Sequence, residues 1–344
     1  MSVITGAIHK LVERIDLTER EARQAMEELM SGEATDAQIA AFLTALRMKG
    51  ETAAELVGFV CAMRERAEPF WVGGEILDVL DTCGTGGDQS GTFNISTAAA
   101  FVAAGTGIRV AKHGNRSRTG RGSAEVMEAL RIDIQMPIDR LRQAVSEIGI
   151  GFLFAPRFHS SMKHVMPARS QLKMQTVFNI IGPLANPAQA RYQVIGVFSP
   201  AVMELMANAL HGLTTNHAFV VHGGDGVDEI SISAPTKVIE LNHGDIRSYT
   251  ISPEDFGVTP APAESIGGGD AAANAAIIES LFRGEQGARR DVVLMNAAAA
   301  IVAGGAADSL KEGFRLAAHS VDTGAALKKL TDLKELSNFC TGGL

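Results

Sequence analysis

The sequence predicts an α/β fold with a mainly parallel sheet, preceded by a small all-helical region. From residue 75 onward, short apolar runs alternate with glycine-rich loops and alanine-rich, helix-like segments. The first seventy residues lack that alternation and carry helix-start signals instead. The length of 344 residues is ample for a large core, and two domains is the expected number. We place them at residues 1–72 and 73–344. The 36 glycines fall between apolar runs and follow no fixed period, which excludes collagen-like and solenoid designs.

In the N-terminal region, Thr18-x-x-Glu21, Thr35-x-x-Gln38 and Thr52-x-x-Glu55 have capping-box spacing. In such a box, side chains satisfy the free amides at a helix start. After the first box, Ala22, Ala25, Met26, Leu29 and Met30 share one face at helical spacing. Gly32 and Gly50 suit helix stops, and Pro69 ends the third helix. Nothing in this region looks chemical, so its expected role is packing and subunit contact.

The pattern then changes. "EILDVLDT" (75–82) reads as a strand, followed by a glycine loop and the helix "ISTAAAFVAAG". "IRVAKHG" is a second strand that runs into a basic loop, and a helix begins near Ser123. "HAFVVHGG" (217–224) and "DVVLMNAAAAIVAGG" (291–305) have the strand-loop or apolar-helix look of the same architecture. Ligands of such sheets bind beyond the carboxyl ends of the strands.

The formal net charge of -8 argues against nucleic acid or a membrane surface as partner, while leaving room for a local anion site. Cys61, Cys83 and Cys340 are odd in number and widely spaced, which argues against a disulfide framework or a zinc site. The N-terminus soon becomes charged, and no apolar run reaches membrane-spanning length. A soluble cytoplasmic protein is expected.

Four groups of residues carry candidate chemistry. In "DTCGTGGDQSGTFNIST", Gly84, Gly86 and Gly87 let backbone amides approach a ligand, and the following helix start adds free amides. That suits phosphate or pyrophosphate; a tight turn is the alternative. The dinucleotide fingerprint fails because its third glycine position is Gln89, and no GxxxxGK[ST] loop is present. Asn94, Ser96 and Thr97 add neutral polar groups, with simple capping by Asn94 or Ser96 as the alternative. In "KHGNRSRTGRGSAE", Lys112 and Arg116 supply countercharge for phosphate, unless the loop is merely a solvated basic one. Asp225, Asp228 and Glu229 in "HGGDGVDEIS" form either an Mg2+ site or an exposed acidic turn. Arg169 can fix a carboxylate through its planar fork, or be a surface arginine.

Taken together, these segments resemble the anthranilate phosphoribosyltransferase family. "DTCGTGGD", "TFNIST", "KHGNRS", "GSAEVMEAL", "FNIIGPLANP" and "HGGDGVDEIS" occur in the family's order and spacing over nearly the whole chain. The resemblance implies a nucleoside-phosphorylase-like phosphoribosyltransferase fold whose helical domain is completed by helices near 165–185. It implies a homodimer joined through the helical domains, 5-phosphoribosyl 1-pyrophosphate as donor, anthranilate as acceptor and Mg2+ as cofactor. By the same resemblance, Gly84, Gly87, Asp88, Thr92, Asn94, Ser96, Thr97, Lys112 and Ser123 match donor-binding positions. Ser96, Asp228 and Glu229 match metal positions. Gly84, His113, Asn115 and Arg169 match acceptor positions, and Ala155 and Pro156 resemble the lining of the acceptor's access route. Lys112, Asn115 and Arg169 are the residues expected to act on the reacting groups.

The chain departs from the family pattern in places. Its basic loop is one residue shorter, with Thr119-Gly120 near the usual serine pair and added charge at Arg118 and Arg121. Ser160 replaces a common proline, and Gln175 a frequent arginine. The competing readings are a phosphoribosyltransferase for another aromatic amine, a pyrimidine nucleoside phosphorylase, and a non-catalytic nucleic-acid-binding relative.

Overall fold

The computed structural model describes residues 2–70, 78–87, 90–117 and 119–338. Four helices open the chain: α1 (Val3–Val12), α2 (Glu19–Ser31), α3 (Asp36–Lys49) and α4 (Ala53–Arg66). All three expected capping boxes form, at the starts of α2, α3 and α4. Each such cap stabilises its helix by about 1 kcal/mol. Glu55 does more than cap. Buried completely, it also accepts from the Leu17 amide at 2.9 Å and from Lys49 Nζ at 3.0 Å, tying α4 to the α1–α2 connection and to α3. Helix α1 has no box; the Ser2 hydroxyl caps it instead.

A seven-stranded sheet follows, built from β1 (Leu80–Gly84), β2 (Val110–Gly114), β3 (Ile150–Phe154), β4 (Tyr192–Gly196), β5 (His217–Gly223), β6 (Thr236–Asn242) and β7 (Asp245–Ile251). The spatial order is β3-β2-β1-β4-β5-β6-β7. The first five strands in this order pair in parallel, whereas β6 and β7 are antiparallel. Strand order reverses direction between β1 and β4, so the crevice favoured by ligands opens above those two strands. Helix α5 (Ile95–Gly105) follows β1, and α6 (Ser123–Ala129) follows the basic loop after β2. The stretch from 291 proves to be helix Ala288–Ala303, with Val292 to Ala303 all buried. Its continuous apolar run reflects burial all round.

Two hydrophobic cores lie on the two faces of the sheet. One gathers α5 and Ala288–Ala303 against β1 to β3. The other belongs to the bundle, where Phe42 and Phe59 meet edge to face at 5.9 Å. Val165, Ala168, Val177, Phe178 and Ile181 join this second core, as do Ile195 of β4 and Val220 of β5. The bundle therefore rests on the sheet beside β4, and the 165–185 segment is part of its packing. Among the described residues, no helix is long and apolar enough to cross a membrane.

Candidate active site

The glycine loop leaves β1 at the switch point. Its conformation is fixed from the far end of the chain. The Gly86 amide donates to Asp228 Oδ2 at 3.1 Å, and the Ser96 amide donates to Glu229 Oε1 at 3.0 Å. Asp228 and Glu229 lie in the loop between β5 and β6, which crosses over the ends of β4 and β1. It can do so because two glycines make room. A Cβ at Gly196 would fall 1.6 Å from the Asp228 carbonyl oxygen, and one at Gly84 would fall 2.8 Å from Asp228 Oδ2. Thr85 completes the joint, its amide donating to the Gly196 carbonyl and its hydroxyl accepting from the Phe198 amide.

This geometry replaces the capping alternative at α5. Asn94 is the N-cap residue but makes no side-chain cap bond. The Glu229 carboxylate takes the free Ser96 amide instead, the favoured charge at the positive end of a helix. Thr97 is buried, and its hydroxyl has no hydrogen-bond partner among the described residues. Asp228, Glu229 and the Ser96 hydroxyl are hard oxygen donors, the kind that suits Mg2+. No group of three or more His, Cys, Asp or Glu side chains able to hold a metal occurs among the described residues. Asn296 steadies this loop, its side chain donating to the Ile230 carbonyl and accepting from the Ile230 amide, at 3.0 and 2.9 Å.

The basic loop is organised differently from the expectation. Arg116 does not extend toward the glycine loop. Both terminal nitrogens of its guanidinium donate to Glu128, at 2.8 and 2.7 Å, and it lies over the Phe154 ring. The cause is local: Glu128 on α6 offers two oxygens to a planar fork. Ser117 and Arg121 close the shortened segment on itself, the Arg121 amide donating to the Ser117 hydroxyl at 2.9 Å. Asn115 is exposed, and its carbonyl accepts from the Ser123 hydroxyl at 3.4 Å. Thr92 bridges to Gly267, beside the same opening. Asp88 lies outside the described residues, as does Arg118.

Lys112 and His113 turn inward. Lys112 is buried and donates to the Thr82 carbonyl of β1. Beneath it, Asp81 is fully buried, and burial pushes its carboxyl up to about 6 against the pull of the Lys112 charge. Asp81 accepts from the His113 amide at 3.1 Å and from Asn186 Nδ2 at 2.8 Å, and Asn186 Nδ2 also reaches the Ala111 carbonyl. Strands β1 and β2 are in register at Leu80 and Val110. Further along, side chains span the interval between them. The His113 ring meets His159 edge to face at 5.4 Å. Burial depresses both imidazoles, His113 to about 3 and His159 to about 4.

Arg169 lies in helix Met166–Leu172, with its guanidinium over the Phe178 ring and Nη2 at 3.4 Å from Asn179 Oδ1. Burial lowers its pKa, and no carboxylate pairs with it among the described residues. The segment carrying it passes near the glycine loop, because Gln175 Nε2 would lie 3.6 Å from a Cβ at Gly87. Ala155 and Pro156 start a short helix directly after β3. Sequence reasoning missed Asp81, Asn186, His159 and Asn296. A lone asparagine inside the apolar run "VVLMNAAAA" is the available signal for the last, since a buried amide needs partners.

Sheet, bundle and glycine loop define a glycosyltransferase of two-domain design. Residues 77–327 match the model of the glycosyl transferase family a/b domain, and residues 5–67 match that of its helical bundle domain. The chain is 51% identical over 332 residues to an anthranilate phosphoribosyltransferase of Symbiobacterium thermophilum, covering 96% of this chain and 97% of the relative. The crystal structure of the Thermus thermophilus anthranilate phosphoribosyltransferase superposes with a TM-score of 0.90 at 41% identity, covering 96% of this chain and 99% of that one. The Saccharomyces cerevisiae enzyme, solved in complex with PRPP and Mg, gives 0.88 at 26% identity, covering 98% of each chain. This chain belongs to the anthranilate phosphoribosyltransferase family.

Proposed function

We propose that this protein transfers the phosphoribosyl group of 5-phosphoribosyl 1-pyrophosphate (PRPP) to the amine of anthranilate. The products are N-(5-phosphoribosyl)anthranilate and pyrophosphate, in the biosynthesis of tryptophan. The observation that carries this is the seating of Asp228 and Glu229 against the amides of the glycine loop and α5, within a full-length family match. The reaction is a displacement at ribose C1: the amine nitrogen forms a bond to C1 as the bond to the pyrophosphate oxygen breaks.

The donor lies along Gly84, Gly87, Asp88, Thr92, Asn94, Ser96, Thr97 and Ser123. Amides of the glycine loop and the positive end of α5 stabilise the leaving anion. Lys112 adds its positive charge from below, and reaches a phosphate oxygen directly by releasing the Thr82 carbonyl. The acceptor lies among Gly84, His113, Asn115 and Arg169, with the Arg169 fork on its carboxylate and Asn115 orienting the amine. His113, depressed by burial, is neutral at physiological pH and presents no charge to the aromatic ring. Ser96, Asp228 and Glu229 would hold Mg2+, which would supply positive charge to offset the negative charge of the pyrophosphate.

The division at 1–72 and 73–344 separates bundle from catalytic domain. The active form is a cytoplasmic homodimer joined through the bundles. Exposed Val3, Val12 and Ile15 in and just after α1, with Met48 of α3, support that surface.

Loss of anthranilate fluorescence on addition of PRPP, Mg2+ and purified protein tests the reaction. Unchanged fluorescence with all components present refutes it. Arg169→Ala is expected to raise KM for anthranilate about tenfold or more, through loss of a charge-assisted fork, while KM for PRPP changes little. Equal loss for both substrates removes the carboxylate role.

A further inference from the structure

We propose that Asn274 is a positioning residue for the donor site: it sets which end of the Asn94 amide faces the ligand. Asn274 lies one turn into helix Ala271–Phe282, behind a cap in which Asp270 accepts from the Ala273 amide. It is 1% exposed, so its amide must find partners inside the protein. Nδ2 donates to Asn94 Oδ1 at 2.9 Å, and Oδ1 accepts from the Gly269 amide at 2.7 Å. The Gly269 bond fixes which end of Asn274 is the donor. That donor then fixes Asn94 with its oxygen inward and its nitrogen toward the Arg121 carbonyl, at 3.1 Å.

The surroundings leave little freedom. The Gly268 amide donates to the Gly91 carbonyl at 2.9 Å, Thr92 bridges Gly267, and Arg289 Nη2 donates to the Gly267 carbonyl at 2.9 Å. The segment after the glycine loop is thus laid against residues 266–269, and Asn274 pins Asn94, a side chain of that segment that also touches the basic loop. An amide has a donor end and an acceptor end of nearly equal size. A phosphate oxygen accepts only from the nitrogen, so an Asn94 free to turn over spends part of its time presenting the wrong atom.

The inference rests on the reading that Asn94 contacts the donor, and kinetics on four proteins separates the two. Wild type, Asn94→Ala, Asn274→Asp and the double variant are compared with both substrates varied. Asp at 274 still accepts from Gly269 but offers no N–H to Asn94. Asn94→Ala and Asn274→Asp are each expected to raise KM for PRPP about five- to tenfold, the effect of one hydrogen bond, with KM for anthranilate unchanged. The double variant is expected to be no worse than Asn94→Ala. Asn274→Ser, neutral and smaller, is run in parallel. It guards against failure of the Asp variant to fold and against a purely electrostatic effect on the donor. If Asn94→Ala raises KM for PRPP and neither 274 variant does, or if the two penalties multiply, the positioning role is overturned. If Asn94→Ala leaves KM for PRPP unchanged while turnover persists, the donor assignment of Asn94 fails and the inference falls with it.

Discussion

The two walls of the crevice are held in opposite ways. The glycine-loop wall takes its shape from residues more than a hundred positions away: Gly86 from Asp228, Ser96 from Glu229 and Thr85 from Phe198. The basic-loop wall is held largely by its own neighbours: Arg116 by Glu128, Arg121 by Ser117 and Ser117 by Glu125. The first exists only once the sheet has assembled; the second can form from a few turns of chain. The basic loop closes on itself, while the Asp228 loop must fit closely over Gly84 and Gly196, where an added Cβ would meet it at 2.8 and 1.6 Å.

Breaking the long-range wall has the largest expected effect. Asp228→Asn keeps the shape but weakens both the Gly86 contact and the proposed metal site, and kcat/KM is expected to fall by about a hundredfold or more. Titration with Mg2+ reads the change, and activity equal to wild type would mean that this wall is scaffold only.

Acid probes the floor beneath β2. His113 and His159 have pKa values held below the ordinary 6.5 by burial, so the stability tied to their neutral forms is present above pH 6.5 and lost as pH falls toward about 3 and 4. Asp81, raised from 3.8 to about 6, acts oppositely: its contribution is present below 3.8 and lost as pH rises through 6. Between pH 6 and 4, two histidines outweigh one acid, at about 1.4 kcal/mol per pH unit for each unmatched proton. Thermal melting from pH 7 to 4.5 is expected to show falling stability, less steep in His159→Gln. An identical slope in that variant would refute the assignment.

The smallest effect belongs to the self-held wall. Arg116→Gln removes an exposed ion pair and is expected to cost no more than about 1 kcal/mol, leaving both KM values within about twofold. A tenfold rise in KM for PRPP would instead place Arg116 on the ligand.

The sequence makes the first wall's parts legible but not its joints. The capping boxes at Thr18, Thr35 and Thr52 could be read because their partners lie three residues apart. The glycine loop was legible through composition, but the strand expected over 75–82 runs over Leu80–Gly84, and residues 75–77 of that expectation lie outside the described residues. Asp228 and Glu229 were readable as oxygen donors, yet their seating on the amides of Gly86 and Ser96 depends on strand order, which spacing does not encode. The bond from Asn186 to Asp81 spans 105 residues and was invisible for the same reason. The pairing of Arg116 with Glu128 was missed although Glu128 lies twelve residues on, because a loop of unknown path separates them.

The side chains between β1 and β2 act as a wedge. Leu80 and Val110 hold the strands together at one end, while Asp81, Lys112 and Asn186 stand between them toward their carboxyl ends. Buried charges such as Asp81 and Lys112 contribute little net stability compared with apolar side chains of the same volume. Their presence makes sense as the means of keeping two parallel strands from closing over the crevice. Room for the substrate and tightness of the sheet are opposed at the same three residues.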